Sequence, residues 1–472
     1  MISDWTPNPA RIVIAAPQGR SGKTTVSLGV CNALSHQGLR VQPFKKGPDY
    51  IDPSWLSAAA GLDCRSLDPF FLGSDDEIIQ AFRRGASHAE LCIIEGNHGL
   101  YDSLFEDGRG STAHLARILR APVILVVNSE RMSRSVAAMV AGYQNFELGT
   151  RIVGVILNRV ANQRHDAKLR QAIESYCKIP VLGALPRDHN VTIPDRHLGL
   201  IPKGENDQLT SAIQACREAA EKYIDLQAVL SLAQSAPALF SVDQGRDNFT
   251  SAKESKTKIR LGIVRDRAFT FYYPENLEAL ERAGAELVFI DAFHDRKLPD
   301  IQGLIIGGGF PELFLDELSA NHDLLSEIRR AVEYGMPVYA ECGGLMYLSK
   351  EVTFRNVCRQ LVGALPFDVV MDESPQGHGY VTAEVIRDNP FFPIGTILRG
   401  HEFHHSKVAN LAADLPTAYS LKRGTGISQH LDGYVYKSVL ASYTHLHADG
   451  SPLWADAIVL RARKYAKEQI YG

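Results

Sequence analysis

Short apolar runs alternate with helical segments along the first 200 residues of this chain of 472 residues. Runs without a polar face are typical of parallel strands that helices cover on both sides. We therefore predict buried strands at 11–17, 39–44, 91–96, 122–128, 151–160 and 179–186. Residues 26–40 have helical spacing and stop at Gly38, as expected of a first crossover helix. The pattern predicts an α/β domain built on a parallel sheet.

A second α/β pattern begins after a polar segment. Residues 207–234 are predicted to be helical, and 235–258 lack periodicity, which is typical of a linker. Further strands are predicted at 258–266, 285–291, 301–309 and 337–342, and the later segments 379–386 and 435–447 are also strand-like. The predicted organisation is a domain at 1–234, a linker at 235–258 and a second domain at 259–472.

Length and composition fit this organisation and exclude several protein classes. A chain of this length is too long to fold around a single hydrophobic core, so two or three domains are expected. Its formal net charge of -4 gives no reason to expect nucleic acid or a membrane as partner. The seven cysteines are scattered, and we find neither a secretory leader nor an apolar run near the roughly 20 residues of a membrane span. We expect a cytoplasmic protein.

The first predicted strand runs into a turn followed by a helix, which is the context of a phosphate-binding loop. Lys23 is predicted to reach the β- and γ-phosphates of a nucleotide, and Thr24 to bind magnesium. The pattern departs from the full motif because Pro17 stands at the first glycine position. The alternative is a glycine turn with a surface lysine. The predicted ATP-binding residues are Gly19, Ser21, Gly22, Lys23, Thr24 and Thr25.

Acidic residues follow two of the predicted strands. Asp49 and Asp52 come after the strand at 39–44, and Glu95 ends the strand at 91–96. Carboxylates at the carboxyl ends of parallel strands face the ligand crevice, so Glu95 is predicted to hold magnesium together with Thr24. Solvated loop acids are the alternative, above all for Asp52. Because no NKxD motif is present, we prefer ATP to GTP.

Cys342 lies between a predicted strand and a glycine-rich helix start, an arrangement typical of a nucleophile elbow. The helix N-terminus is expected to lower the pKa of its thiol. The N–H of Gly343 and an amide of the turn at Gly308 and Gly309 are predicted to form an oxyanion hole. His445 is the predicted general base. The alternative is a core thiol beside ordinary glycine turns.

Residues His401 to His405 match the pattern H-E-x-x-H of zinc proteases. That chemistry requires both histidines on one helical face, whereas Gly400 precedes the motif and no helical periodicity is evident. We therefore predict a polar strand or loop that lines the substrate site or a domain interface.

Taken together and in this order, the motifs resemble those of the cobyrinate a,c-diamide synthases, from about residue 10 to 465. The resemblance is carried by the phosphate loop and by GPDYID (47–52), EGNHGLYD (95–102), GGGFPE (307–312), AECGGLMYL (340–348) and YTHLH (443–447). Nickel-sirohydrochlorin and hydrogenobyrinate a,c-diamide synthases share these motifs. The resemblance implies a dethiobiotin-synthetase-like P-loop domain joined to a class I-type glutamine amidotransferase domain. The segment 196–200 also resembles the sequence of this family, but the chemistry of its residues does not indicate a role.

The resemblance also implies an activity. Cys342 and His445 would release ammonia from L-glutamine. The first domain would use ATP and Mg²⁺ to activate the a and c acetate carboxylates of the corrinoid cobyrinate for amidation. Asp49, Tyr50 and Asp102 would bind or orient the corrinoid. A homodimer is an open alternative to a monomer.

One position departs from ordinary class I glutaminases, which carry His-x-Glu with the glutamate orienting the histidine. Here His447 stands at the position of that glutamate, so the resemblance implies a Cys-His dyad, and we expect modest glutaminase turnover. One alternative is the same reaction on hydrogenobyrinate or nickel-sirohydrochlorin. Another is a P-loop ATPase switch with an inactive amidotransferase-like domain.

Overall fold

The computed structural model describes residues 8–187, 206–239, 258–410 and 416–471. They fall into two compact units, one within Met1–Gly245 and one within Arg246–Gly472. Most of the predicted linker, at 240–257, lies outside the described residues, as does the segment 196–200. The predicted domain boundaries therefore stay predictions.

The N-terminal unit is built on a sheet of seven strands in the order β3-β2-β4-β1-β5-β6-β7. Every pair of neighbours in it is parallel. The strands are β1 (Ala10–Ala15), β2 (Val41–Lys45), β3 (Arg65–Ser66), β4 (Leu91–Glu95), β5 (Val123–Asn128), β6 (Ile152–Val160) and β7 (Val181–Pro186). The helices are α1 (Lys23–His36), α2 (Ile51–Ala60), α3 (Asp75–Gly85), α4 (Thr112–Ile118), α5 (Ser135–Phe146), α6 (Gln163–Cys177), α7 (Asn206–Tyr223) and α8 (Leu226–Gln234).

Both faces of this sheet are buried, which explains the continuous apolar runs. Val13 of β1 belongs to a core on one face, whereas Ile12 and Ile14 belong to a core on the other. Because successive side chains of a strand point to opposite faces, a strand covered on both faces must be apolar at every position. The predicted parallel α/β architecture is confirmed.

The residues predicted to be helical at 207–234 form two helices, α7 and α8, separated by a short break. The carboxylate of Asp225 accepts the N–H of Ala228 and starts α8 after a break. The residues that follow return to the sheet of the same unit, where the buried Arg11 guanidinium donates to Pro237 O. None of the helices in the described ranges is both long and apolar enough to cross a membrane.

The C-terminal unit contains a sheet of ten strands and a second sheet of four. The strands are β8 (Ile259–Val264), β9 (Ala285–Ile290), β10 (Gly303–Ile306), β11 (Val338–Glu341), β12 (Glu351–Phe354), β13 (Val357–Gln360), β14 (Asp368–Met371), β15 (Gly377–Val385), β16 (Ile397–His404), β17 (Ser406–Ala409), β18 (Thr417–Arg423), β19 (Leu431–Tyr436), β20 (Val439–Ser442) and β21 (His445–Leu446). The helices are α9 (Pro274–Arg282), α10 (Leu315–Ala320), α11 (His322–Glu333), α12 (Gly343–Leu348) and α13 (Trp454–Tyr471), with a 3₁₀ turn at Pro311–Phe314.

The large sheet has the order β21-β16-β15-β18-β19-β20-β11-β10-β8-β9. Its pairs from β9 to β20 are parallel, and those from β20 to β21 are antiparallel. The segment 435–447 is not one strand: β19 and β20 form a hairpin in which Tyr436 pairs with Val439. Lys437 adopts a left-handed φ of 50° in the two-residue turn, which fits a tight hairpin.

Candidate active sites

The loop between β1 and α1 has the geometry of a phosphate cradle. Gly22 takes a left-handed φ of 97° directly before α1, and a Cβ there would collide with the side-chain amide of Asn158. That amide donates to Ser21 O at 3.0 Å. Glycine is therefore required at position 22 for both conformation and space. Sequence reasoning missed Asn158, which β6 supplies from two strands away.

The side chain of Lys23 folds over this loop toward the end of β4. Its ammonium donates to His98 O at 2.5 Å. Burial lowers the pKa of Lys23 to about 8, although the nearby Glu95 opposes the shift. A phosphate group at this point would favour the charged ammonium.

A buried ion network lies at the carboxyl ends of β2 and β4. The ammonium of Lys45 is 2.7 Å from Asp52 Oδ2 and 2.7 Å from Glu95 Oε1. Burial by itself would lower the pKa of Lys45, but Asp52 and Glu95 together raise it, so the lysine stays charged. The interpretation of Asp52 as a solvated loop acid is wrong, because it is buried and paired. The sequence analysis did not predict Lys45 as a site residue.

Thr24 and Glu95, the predicted magnesium ligands, lie in contact. The Thr24 hydroxyl donates to Glu95 Oε1 at 2.9 Å. Glu95 Oε2 is buried without a hydrogen-bond partner among the described residues. No group of three His, Cys, Asp or Glu side chains in those residues is arranged to hold a metal. Mg²⁺ on nucleotide phosphates needs only one or two protein oxygens, so this pair fits the ion.

The remaining residues predicted for the first site occupy loops at the same sheet edge. Asp49 Oδ1 accepts the N–H of Ile51 at 2.8 Å, and Tyr50 stands directly before α2. Asp102 is exposed, and its Oδ2 accepts the N–H of Gly99 at 2.7 Å. Because β2 and β4 are neighbours, these loops share an edge, but the corrinoid roles of the three residues stay predictions. Gly19 and Thr25 belong to the loop and to α1.

Cys342 sits in a strained elbow between β11 and α12. Its φ of 47° and ψ of -98° lie outside the regions that L-residues favour. Its N–H donates to Ser442 O at 2.7 Å. A Cβ on Gly344 would strike the carbonyl of Ile306, so the helix can approach β10 only with glycine there. The backbone thus fixes the position of the thiol, which is 3.9 Å from Phe403 O.

The thiol of Cys342 is not activated in the way that the sequence predicts. Burial raises the pKa of Cys342, and the charge of Glu312 raises it further, whereas a hydrogen bond from the Gly343 N–H lowers it. The expected fall in the thiol pKa is therefore wrong for the free protein. A general base must take the thiol proton.

The structure brings the predicted base and the predicted oxyanion hole together. A Cβ on Gly308 would collide with Cε1 of His445. A Cβ on Gly343 would lie 3.1 Å from Gly309 N, so the two predicted amide donors are neighbours. Gly309 has a φ of 153° and packs against Ala268 O, where no side chain fits. The catalytic and oxyanion roles of these residues stay predictions.

A buried carboxylate also faces His445. Glu341 Oε2 is 3.3 Å from His445 Nδ1. The expectation that the histidine lacks an acidic neighbour is therefore wrong. The sequence analysis looked for an acidic residue two positions after the histidine, whereas the carboxylate near His445 belongs to the residue directly before Cys342.

His447 makes other contacts. Its Nδ1 accepts the N–H of Asp449 at 3.2 Å, and its Nε2 is 4.0 Å from Glu275 Oε2. Its ring packs edge-on against Tyr273 at 4.6 Å between centroids.

The H-E-x-x-H segment forms the end of β16 and the residue after it, not a helix. The imidazole of His401 stacks on that of His445 with centroids 4.9 Å apart. Burial, and then the neighbouring His445 and His447, hold the pKa of His401 well below its usual range, so it is neutral. The Glu402 carboxylate accepts the N–H of Gly426 at 2.9 Å. The segment therefore lines the cysteine site.

Both units match known families. Residues 12–201 match the CobQ/CobB/MinD/ParA nucleotide binding domain, and residues 260–453 match the CobB/CobQ-like glutamine amidotransferase domain. A cobyrinate a,c-diamide synthase of Magnetococcus marinus is 44% identical over 94% of this chain and 95% of its own length. The one of Methanothermobacter thermautotrophicus is 41% identical over 94% of this chain and 98% of its own. The cobyrinate a,c-diamide synthase of Dehalococcoides mccartyi is 42% identical over 94% of this chain and 96% of its own length. The chain belongs to the cobyrinate a,c-diamide synthase family.

Proposed function

We propose that this protein amidates the a and c acetate carboxylates of cobyrinate with ATP and glutamine, as a ligase of cobalamin biosynthesis. The observation that carries the proposal is a similarity of more than 40% identity along 94% of the chain to relatives of that name. The assembled phosphate loop and cysteine elbow support it, because amidation requires both an activated carboxylate and a source of ammonia.

The C-terminal unit supplies the ammonia. His445 takes the proton of the Cys342 thiol, and the thiolate attacks the side-chain amide carbon of glutamine. The negative oxygen that forms is stabilised by the amides of Gly343 and of the turn at Gly308 and Gly309. His445 then returns the proton to the departing nitrogen, which leaves as ammonia. Water hydrolyses the resulting thioester to glutamate and free thiol.

The N-terminal unit activates the acceptor. A carboxylate oxygen of the acceptor attacks the γ-phosphorus of ATP, which gives an acyl phosphate and ADP. Ammonia then attacks the acyl carbon, releasing inorganic phosphate and leaving an amide. The amides of the phosphate loop and the Lys23 ammonium bind the phosphates. Asp49, Tyr50 and Asp102 are assigned to orienting the acceptor.

Thr24 and Glu95 would hold Mg²⁺, which neutralises charge on the phosphates when it is bound. Lys45 places a second positive charge against Glu95, so the carboxylate is oriented before nucleotide arrives. The seven cysteines form no disulfide with one another, which fits a reducing cytoplasm.

The alternative substrates are hydrogenobyrinate and nickel-sirohydrochlorin, whose ring carboxylates resemble those of cobyrinate. The ATPase switch with an inactive second domain is disfavoured, because Cys342 stands in an elbow and His445 lies beside the predicted oxyanion hole.

Product mass spectrometry tests the proposal. The purified protein is incubated with ATP, Mg²⁺ and glutamine, and with each of the three tetrapyrroles in turn. We expect two added amides on cobyrinate at the highest rate. If the diamide forms only on one of the other two rings, that ring is the substrate instead of cobyrinate. Turnover of glutamine or ATP without any amide product would contradict the proposed amidation.

A further inference from the structure

We propose that Glu341 is the positioning residue of the glutaminase, so that ammonia release depends on three residues, Cys342, His445 and Glu341. The inference rests on the proposed function, because it concerns the base of that same reaction. It replaces the expected Cys-His dyad with a relay whose acid stands directly before the nucleophile.

The two oxygens of Glu341 have different neighbours. Oε1 accepts the Tyr339 hydroxyl at 2.9 Å and the N–H of Leu446 at 3.0 Å. Oε2 is 3.3 Å from His445 Nδ1. Two donors on one oxygen fix the rotation of the carboxylate, so Oε2 is the oxygen that lies next to the imidazole.

The fold maintains this arrangement through the backbone. Strands β11 and β20 are parallel, with Glu341 paired to Ser442. The chain leaves β20 and reaches β21 at His445, and the N–H of Leu446 returns to Glu341. The same hydrogen bond therefore ties the residue after the base to the residue before the nucleophile.

Burial gives the carboxylate its effect. Glu341 and His445 are both almost fully buried, so little water screens their interaction. A carboxylate beside Nδ1 favours the tautomer with its proton on Nδ1, so that Nε2 is the nitrogen that takes the thiol proton. The imidazolium that results then faces a negative charge. Because burial raises the pKa of Cys342, the proton transfer depends on this stabilisation.

The two histidines beside His445 do not supply that charge. His401, which stacks on the ring, is held neutral. His447 carries no negative charge and accepts the N–H of Asp449. The structural alternative is that Glu341 only satisfies the Tyr339 hydroxyl and the Leu446 amide.

The decisive variant is Glu341→Gln, in which an amide oxygen can still accept from Tyr339 and Leu446 while an NH₂ group faces Nδ1. We expect kcat for glutamine hydrolysis to fall about 10²- to 10⁴-fold, because the wrong tautomer is favoured. KM for glutamine should change little. Amidation with free ammonia should be unchanged, which also shows that the variant is folded.

Three further variants separate positioning from structure. Glu341→Asp retains the charge and should recover part of the lost kcat. Tyr339→Phe removes one support of Oε1 without removing the carboxylate, and it should lower kcat far less than Glu341→Gln. Asp266→Asn alters another carboxylate of the same unit, which accepts the N–H of Ala292 at 2.8 Å, and serves as the control for loss of a charge outside the cysteine site.

The outcomes are distinct. A Glu341→Gln protein whose glutamine hydrolysis equals that of the wild type, or whose ammonia-dependent amidation falls equally, overturns the positioning role. The same holds if Asp266→Asn reproduces the loss of kcat. A wild-type protein that never hydrolyses glutamine would instead overturn the proposed function.

Discussion

The two sites fix their reactive groups by different means. Beside the phosphate loop, ion pairs and a hydrogen bond hold the side chains in place. Lys45 contacts both Asp52 and Glu95, and the Thr24 hydroxyl donates to Glu95. At the cysteine, the backbone does most of the positioning, through the strained φ of Cys342 and the glycines packed around it. The nucleophile is buried and uncharged, whereas the phosphate site carries full charges before any ligand arrives.

This difference follows from the chemistry that each site performs. A site that binds a polyanion gains from charges that are already oriented, since they need no reorganisation when the ligand arrives. A thiol that attacks an amide must be aligned to within fractions of an ångström, and rigid backbone achieves this better than long side chains. Changes at the cysteine site should therefore affect rate, and changes at the phosphate site should affect stability as well.

The largest effect is expected for Cys342→Ala, which should lower glutamine-dependent amidation by about 10⁴-fold or more, because the nucleophile is lost. Amidation with ammonium chloride should persist. The measurement is amide product from each nitrogen source, with Cys358→Ala as the control, since that cysteine is exposed. Equal loss with both nitrogen sources would show that the two chemistries are not divided between the units.

The second effect concerns the charged site. Lys45→Met leaves the Asp52 and Glu95 carboxylates buried without their shared cation, and we expect about 3–5 kcal/mol of lost stability in the N-terminal unit. Native-state hydrogen exchange of β2 and β4 amides measures it. Arg40→Met is the control: it breaks an exposed pair with Glu90 and should cost at most about 1 kcal/mol. Equal losses in both variants would contradict the role of the buried network.

The third effect concerns alignment at the cysteine. Gly308→Ala places a methyl group against the His445 ring and should displace it. A displacement of about 1 Å can lower the rate about 10²-fold, so glutamine hydrolysis should fall by that order. The measurement is glutaminase kcat beside the ammonia-dependent rate. Gly142→Ala, where a Cβ meets nothing within 4 Å, is the control. An unaltered kcat would show that the base tolerates movement.

The smallest effect is a pH dependence of stability. Burial raises the pKa of Glu312 from 4.5 to about 7. The folded protein therefore holds this proton at a pH where the unfolded chain has released it. The unfavourable contribution of Glu312 to the free energy of unfolding therefore grows between about pH 4.5 and 7, and it reaches its full size above about pH 7.

Glu312→Gln removes this cost, and it should raise the free energy of unfolding of the C-terminal unit by about 1–3 kcal/mol at pH 8 and by little near pH 4. Hydrogen exchange of β10 and β11 amides at several pH values measures it. The exposed Glu317, changed to glutamine, should show no such trend. A gain that is independent of pH would assign the effect to packing instead.

The sequence alone determined the parallel sheet and the chemistry-bearing positions. Apolar runs predicted β1, β4, β5, β6 and β7, because a strand covered on both faces cannot be polar. The strand–turn–helix context identified the loops of Lys23 and Cys342, whose glycines are local requirements of the backbone. The sequence pattern did not predict the short interruptions at Asp225 and Lys437, which divide a helical and a strand-like segment into two elements each.

Only the tertiary structure decided which side chains meet. The partners of three site residues are far away in sequence. Lys45 contacts Glu95, 50 residues away, and Asn158 donates to Ser21, 137 residues away. Glu341 lies beside His445, 104 residues away. The pairing of β11 with β20 sets Glu341 beside His445, and no periodicity in either segment specifies that pairing. Burial, too, reversed the expected direction of the Cys342 pKa shift, because desolvation depends on everything packed around the thiol and not on the helix that follows it.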